Sequence, residues 1–144
     1  MIRLKVLIVD DSAADAERTV AELCRGGYTP TWERVCNRED TESALSGDGF
    51  DLVLSDYRME GFGALEALSL AKDHDPDLPF VIFSEELGEE TAVRAIKAGA
   101  HNWVDKNSVG RLCPAIEREI RDAQVRRERR LARKALRESE NRFR

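Results

Sequence analysis

The stretch KVLIVDDS, residues 5–12, decides the fold class, because an apolar run leads directly into two acidic residues. Residues 4–9 are rich in Val, Leu and Ile, which is typical of a strand that is buried on both faces. Ser12 can then cap a helix. Apolar residues recur at helical spacing after it until a pair of glycines, Gly26 and Gly27, ends the pattern. The N-terminal quarter therefore predicts a buried strand followed by a helix.

The same alternation of strand and helix continues along the chain. Further apolar runs predict strands at residues 29–36, 52–55, 80–83 and 103–104, and a helical pattern follows each of them. Short apolar strands that alternate with helices indicate a parallel sheet that is covered on both faces. Right-handed crossovers limit the topology to a doubly wound α/β sheet, and 144 residues suffice for one such domain.

Polar residues follow four of the predicted strands. Ligands of open parallel sheets bind outside the carboxyl ends of the strands, so these residues are expected on one rim. A single Asp after a strand is often only a helix cap or a turn residue, and the convergence of several makes a site more credible. The residues concerned are Asp10, Asp11, Asp56, Ser84, Asp105 and Lys106.

The chemistry of these residues favours phosphoryl transfer. Clustered carboxylates repel one another and attract a cation, and oxygen-only ligands favour Mg²⁺ over zinc. Asp10 and Asp11 are expected to hold Mg²⁺, directly or through water. Asp56, at the end of the central strand, is the candidate nucleophile that would form an aspartyl phosphate. Lys106 would pair with one phosphoryl oxygen, and Ser84 would donate a hydrogen bond to another.

Four motifs resemble the receiver domain of two-component response regulators. They are VLIVDDS, LVLSDYRM, VIFS and AGAHNWVDK, and the resemblance covers roughly residues 3–122. It implies a flavodoxin-like (βα)5 fold with a five-stranded sheet in the order 2-1-3-4-5. It also implies that a histidine kinase or a histidine phosphotransfer protein phosphorylates Asp56 and that a conformational switch follows. Such a domain catalyses its own phosphorylation and dephosphorylation and is not an enzyme on other substrates.

The resemblance also assigns roles to single residues. In that family the metal is held by the second acid of the pair, by the phosphoacceptor and by a backbone carbonyl two residues further on, which correspond to Asp11, Asp56 and Arg58. Ser84 matches the switch hydroxyl. Trp103 matches the aromatic position that swings inward when that hydroxyl moves, although it would also suit an ordinary, half-exposed strand residue.

Four positions depart from the family pattern. Glu85 stands where a small residue usually leaves room for the phosphoryl group, so that it modifies access to the site. Glu60 replaces a common proline, and Ala64 replaces a common glycine. Asn107 follows Lys106 where the family usually has a proline with a cis bond, and we therefore expect a trans bond or an altered loop. These changes bear on the rates of phosphorylation and dephosphorylation.

The C-terminal segment differs in charge from the rest. Residues 1–116 contain 12 Lys or Arg and 22 Asp or Glu, whereas residues 117–144 contain 11 and 6. We expect a receiver domain at residues 1–122 and a helical linker at residues 123–144. A weak apolar repeat (Val125, Ala132, Leu136 and Phe143) allows a coiled coil that could join two chains, while a solvated helix also fits. Acidic residues interrupt the arginines, so no nucleic-acid binding is expected.

The end of the segment, ALRESENRFR, resembles the linker that opens PAS domains of sensor kinases. It predicts a PAS or kinase-type output module downstream. No apolar run is long enough to span a membrane, and no signal peptide is evident, so a cytoplasmic location is expected. The sparse cysteines suit reduced thiols, and His74 and His101 are both expected in loops or at the surface.

Two rival functions stay open at this point. In the first, the chain is a pseudo-receiver that acts as an interaction or dimerisation module without phosphate, because Glu85 occupies the mouth of the site. In the second, it is a phosphatase with an Asp nucleophile. Those enzymes usually place a second acid two residues after the nucleophile, where this chain has Arg58. A nucleotide-binding protein is disfavoured, because no glycine-rich phosphate loop follows the first strand.

Overall fold

The computed structural model describes residues 2–47, 49–85 and 88–142, which form alternating strands and helices. A 3-10 helix at Lys106–Arg111 joins the last strand to the last α-helix. The other elements are β1 (Ile2–Val9), α1 (Ala13–Arg25), β2 (Tyr28–Val35), α2 (Arg38–Ser46), β3 (Leu52–Ser55), α3 (Ala64–His74), β4 (Phe80–Ser84), α4 (Glu89–Ala98), β5 (Asn102–Asp105) and α5 (Leu112–Arg142).

The five strands form one parallel sheet in the order β2-β1-β3-β4-β5, so the predicted fold class and strand order are confirmed. The chain moves outward from β1 to β2 and then crosses to β3 on the other side of β1. The carboxyl ends of β1 and β3 therefore flank the point where the winding reverses, which is where open sheets of this kind bind ligands.

Two apolar layers cover the sheet, one on each face, because successive strand residues point to opposite sides. Leu7, Val53 and Ile82 contact α2, α3 and α4 on one face, whereas their sequence neighbours Ile8 and Leu54 contact α1 and α5 on the other. All five side chains are almost fully buried. This double burial explains why the strands are continuous apolar runs without polar alternation.

Local signals fix the ends of the helices. The Ser12 hydroxyl accepts a hydrogen bond of 3.1 Å from the Asp15 N–H, so the predicted cap of α1 is confirmed. Helix α1 ends at Arg25, immediately before the predicted glycine pair. Helix α4 ends at Gly99, whose φ of +114° is a left-handed conformation that glycine adopts without strain.

Helix α5 runs without interruption across residues 122 and 123, and Ala123 is still buried. Further on, three arginines of α5 contact the loop before β4, at the amino ends of the strands. We call this group the amino-end clasp, and it consists of Asp75, Asp77, Arg126, Arg127 and Arg130. The body and the helix are thus in contact as far as Arg130, and the division between domain and linker at residue 122 stays a prediction.

The amino-end clasp is centred on Asp77, whose side chain is only 7% exposed. Arg130 donates to the Asp77 carboxylate through Nε at 2.8 Å and through Nη2 at 2.7 Å. Arg126 donates to the Asp77 carbonyl at 3.1 Å, and Arg127 pairs with Asp75 at 3.0 Å. Both nitrogens meet the same oxygen, Asp77 Oδ2, and such a charge-assisted contact is stronger than a hydrogen bond between neutral groups. The clasp therefore attaches α5 to the loop before β4.

The exposed part of α5 carries isolated apolar side chains. Val125, Leu131 and Leu136 are 41%, 51% and 62% exposed. Phe143, the last residue of the predicted apolar repeat, lies outside the described residues. None of the helices in the described part of the chain combines the length and the apolar character needed to cross a bilayer.

Candidate functional site

The predicted polar residues meet at the carboxyl ends of the strands. Asp10 and Asp11 follow β1, Asp56 follows β3, Ser84 is the last residue of β4, and Lys106 follows β5. Asp10, Asp11 and Asp56 each offer a carboxylate oxygen, and these oxygens lie within 4.8 Å of one another. We call this group of five residues, together with Asp15 described below, the carboxyl-end rim.

Asp56 is held in place by neighbours on both sides. Its backbone N–H donates to the Val9 carbonyl at 2.8 Å, which anchors the loop to β1. Its Oδ1 accepts hydrogen bonds from the Tyr57 N–H at 2.8 Å and from the Ser84 hydroxyl at 2.6 Å. Its Oδ2 faces Lys106 Nζ at 3.6 Å. The carboxylate is 17% exposed, so that it is fixed and still reachable from solvent.

Lys106 lies among three carboxylates and is only 11% exposed. Its Nζ is 3.1 Å from Asp10 Oδ2, 3.3 Å from Asp15 Oδ2 and 3.6 Å from Asp56 Oδ2. Burial alone would lower the pKa of Lys106, but attraction to Asp10, Asp56 and Asp15 outweighs it and raises the pKa above its ordinary value. The ammonium is therefore a permanent positive charge in this site at neutral pH.

Asp10 is the buried member of the acidic pair. Its Oδ1 accepts the Ser12 N–H at 2.9 Å, and its Oδ2 faces Lys106. Burial raises the pKa of Asp10, although the Ser12 N–H and Lys106 act in the opposite direction. The repulsion from Asp56 adds to the effect of burial. A further positive charge near these oxygens would stabilise the ionised form of Asp10.

The donor set suits a hard cation. Three carboxylates supply only oxygen ligands, as Mg²⁺ prefers, and Asp11 is exposed, which leaves room for the waters that Mg²⁺ usually keeps. Lys106 offsets only part of the negative charge of these acids, so a divalent ion fits the electrostatics as well as the ligands. The Arg58 side chain is exposed in the loop after β3, and the role of its carbonyl stays a prediction.

A cavity of about 280 Å³ adjoins the rim. Glu85 lines it together with Lys106 and Asp15. Glu85 is exposed to solvent. Its effect on phosphorylation stays a prediction.

The other departures from the family pattern are also placed by the structure. Glu60 lies exposed in the turn after β3, and Ala64 is the buried first residue of α3. All peptide bonds between described residues are trans, so the expected trans bond at Lys106–Asn107 is confirmed. The Asn107 N–H donates to the Asp105 carboxylate at 2.8 Å, which caps the 3-10 helix that begins at Lys106.

Trp103 lies half-buried on β5, opposite Ile82 of β4. It packs against the apolar layer that α2, α3 and α4 cover. A cavity of about 610 Å³ lies between it and α4 and is bordered by Val93 and Ile96, which are exposed. The structure therefore leaves space beside the ring, and its assignment as a switch residue stays a prediction.

Two residues of consequence were not identified from the sequence. Asp15 reaches Lys106 from the first turn of α1, and its position three residues after the cap residue Ser12 was the available signal. His101 does lie in a loop, as expected, but it is partly buried. Its Nδ1 accepts the Phe80 N–H at 3.0 Å, and burial, aided by the charges of Arg126 and Lys72, lowers its pKa to about 4.

Comparisons with known proteins agree with this geometry. The family model described as the response regulator receiver domain matches residues 6–117. The nitrogen assimilation regulatory protein NtrX of Azorhizobium caulinodans is 32% identical over 127 residues, which cover 85% of this chain and 27% of that protein. The response regulator protein PilR of Pseudomonas aeruginosa is 28% identical over 122 residues, which cover 84% of this chain and 27% of that protein.

Solved structures include the same fold. NtrX from Brucella abortus, crystallised with ADP, superimposes with a TM-score of 0.78 at 26% identity, and the match covers 88% of this chain and 29% of that one. The chain thus spans about a quarter of the length of the curated relatives that it matches.

Proposed function

Because this chain belongs to the response regulator receiver domain family, a family of two-component signalling modules, we propose that Asp56 is its phosphoacceptor. The observation that carries the proposal is the position of the Asp56 carboxylate between the Ser84 hydroxyl and the Lys106 ammonium, beside two further acids. A nucleophile, a cation and a hydroxyl donor within reach of one point are what phosphoryl transfer requires of a protein.

The reaction needs only one new bond on the protein. A carboxylate oxygen of Asp56 attacks the phosphorus of the donor, the bond between phosphorus and the donor atom breaks, and the donor leaves with that electron pair. The donor is the phosphohistidine of a histidine kinase or of a phosphotransfer protein. Lys106 and Ser84 then bind two of the phosphoryl oxygens. Hydrolysis of the aspartyl phosphate by water restores the carboxylate.

Mg²⁺ is the proposed cofactor, held by Asp10, Asp11, Asp56 and the Arg58 carbonyl. When bound, it neutralises negative charge on the phosphoryl oxygens. The protein contributes the arrangement: Asp10 is fixed by the Ser12 N–H, and the backbone of Asp56 is fixed by β1. These hydrogen bonds support the proposal because they hold the carboxylates close together despite their repulsion.

The proposed switch starts from the hydrogen bond between Ser84 and Asp56. Once Asp56 carries a phosphoryl group, the Ser84 hydroxyl exchanges Asp56 Oδ1 for a phosphoryl oxygen. Trp103 then turns into the space beside α4. The cavity next to the ring supports this step, because an inward rotation needs free volume on that side.

The proposed output passes through α5. Its exposed Val125, Leu131 and Leu136 would be covered if two copies of the helix formed a parallel coiled coil, which makes a homodimer the proposed assembly. A PAS or kinase-type module downstream follows only from the linker resemblance, whereas the curated relatives carry the names of response and nitrogen regulators.

The proposal is tested by incubating the protein with acetyl phosphate and Mg²⁺ and measuring its intact mass. We expect the addition of one phosphoryl group to the wild type and to Asp73→Asn, a control that removes an exposed acid of α3. Asp56→Asn should show no addition. If the wild type takes up nothing and Asp56→Ala keeps its signalling output, the chain is a phosphorylation-independent interaction module instead.

A further inference from the structure

The Asp15 carboxylate contacts Lys106 but has no part in the proposed phosphoryl transfer. Asp15 is the third residue of α1, and its backbone N–H is tied to the Ser12 hydroxyl. One carboxylate oxygen accepts a hydrogen bond from Arg18, and the other contacts Lys106 Nζ at 3.3 Å. Cap and arginine together therefore aim the Asp15 carboxylate at the ammonium.

The distances around Lys106 show where its charge is directed. Its Nζ is within hydrogen-bond distance of Asp10 and Asp15, whereas Asp56, the proposed acceptor, is further away at 3.6 Å. An ammonium group has three N–H donors and no acceptor. Two of the three are thus engaged by carboxylates on the α1 side of the site, and a phosphoryl oxygen on Asp56 has to compete for them.

We propose that Asp15 is a positioning residue that draws Lys106 toward α1 in the unphosphorylated chain and competes with the phosphoryl group for its ammonium. The proposal rests on the function proposed above. It predicts that the site binds a phosphoryl group more weakly with Asp15 present than without its charge. Asp15 itself lies outside the group of acids whose oxygens meet closely enough to share a metal ion.

The neighbouring cavity strengthens this inference. Asp15, Arg18 and Lys106 line it together, and Glu85 adds a second carboxylate to the same lining. The space next to Lys106 is therefore bordered by two acids besides those of the proposed metal site. Only one of these, Asp15, is in contact with the ammonium that the phosphoryl group needs.

The test compares Asp15→Asn with Glu17→Gln. The first variant keeps the shape of the side chain and an oxygen that can accept a hydrogen bond, but it loses the charge. The second removes the same charge from an exposed residue of the same helix. Thermal unfolding of both variants verifies that the fold is kept.

The first readout is the NMR signal of the Lys106 side chain in protein without Mg²⁺ and phosphate. We expect Asp15→Asn to shift this signal and Glu17→Gln to leave it in place. This readout does not depend on phosphorylation. An unshifted Lys106 signal in Asp15→Asn would show that Asp15 does not position the ammonium and would overturn the inference.

The second readout is the affinity for beryllium fluoride, a phosphoryl analogue, at fixed Mg²⁺. Asp15→Asn should bind it about two- to fivefold more tightly than the wild type, the range that a partly exposed ion pair is worth. Equal or weaker binding refutes the competition. If the wild type binds no analogue while Asp15→Asn still shifts the Lys106 signal, the proposed function fails and the positioning by Asp15 stands.

Discussion

The two ends of the sheet bring acidic and basic residues together in opposite proportions. The carboxyl-end rim contains four carboxylates and one ammonium, Lys106, which contacts three of them. In the amino-end clasp, two carboxylates meet three guanidinium groups. The rim is thus left with negative charge, which favours a cation, whereas each carboxylate of the clasp faces an arginine of the protein itself.

This difference in charge balance distinguishes a proposed ligand site, the rim, from a structural contact, the clasp. Charges that the protein itself neutralises hold two elements together, as the Asp77 carboxylate does with Arg130. Charges that it leaves in excess cost stability and are usually kept for a ligand. The raised pKa of Asp10, to which burial contributes most, shows this cost at the rim. The two regions should therefore respond differently to the same kind of substitution.

The largest expected difference concerns phosphoryl uptake. Asp56→Asn should abolish it, because the amide is no nucleophile, while Asp77→Asn should take up a phosphoryl group as the wild type does. Intact mass after incubation with acetyl phosphate and Mg²⁺ measures both. Loss of uptake in folded Asp77→Asn would show that the clasp and the rim are not independent and would break the comparison.

The next effect concerns pH and the amino end of the sheet. The pKa of His101 falls from 6.5 to about 4 on folding, so the unfolded chain binds more protons between these values. The free energy of unfolding should therefore decrease as the pH falls from about 6.5 to about 4, by on the order of 3 kcal/mol from this residue.

Chemical unfolding at several pH values measures this effect in His101→Asn. Its amide oxygen can take over the hydrogen bond from the Phe80 N–H but does not titrate, so its stability should fall less toward acidic pH. His74→Asn, at an exposed histidine, is the control and should follow the wild type. An unchanged pH profile in His101→Asn would assign the loss of stability to the carboxylates.

A smaller effect concerns the stability of the clasp. Asp77→Asn removes the charge that faces Arg130 and should lower the free energy of unfolding by about 1–3 kcal/mol, because a buried group loses charge-assisted hydrogen bonds. Denaturant unfolding checks this against Asp73→Asn, which should be close to wild type. Equal stability of the two variants would mean that solvent replaces the arginines without loss.

The smallest effect is the response of the rim to metal. If Mg²⁺ binds only the folded chain, a free concentration ten times its Kd should stabilise the wild type by about 1.4 kcal/mol. Asp11→Asn should lose most of this gain, since the exposed Asp11 is a proposed ligand. Thermal unfolding with MgCl₂, compared with NaCl at equal ionic strength, checks the difference. An equal gain in both proteins would place the metal elsewhere.

The sequence predicted the sheet and its order because double burial leaves continuous apolar runs that are easily recognised. The meeting of Asp10, Asp56 and Lys106 could also be predicted, since parallel strands bring their carboxyl ends to one edge. Contacts that long side chains make between distant elements could not be predicted. Arg130 reaches Asp77 across 53 positions, and nothing in the local sequence of α5 separates this arginine from its neighbours.

The roles of Asp15 and His101 could not be predicted from the sequence for a related reason. Their importance lies in what they contact, Lys106 and Phe80, and the sequence around each of them suits a surface helix or a loop equally well. Burial of His101 depends on the packing of β4 against β5 and α5, which no pattern of single residues records.

The length of α5 makes it a lever with its fulcrum at the clasp. Twelve residues follow Arg130 up to Arg142, a distance of about 18 Å along a straight helix. A tilt of roughly 10° about the clasp would then displace the far end by about 3 Å, which is enough to disengage a packed apolar side chain. A small shift of β4 and β5 that leaves the core intact would in this way become a larger lateral displacement at the C-terminal end of α5.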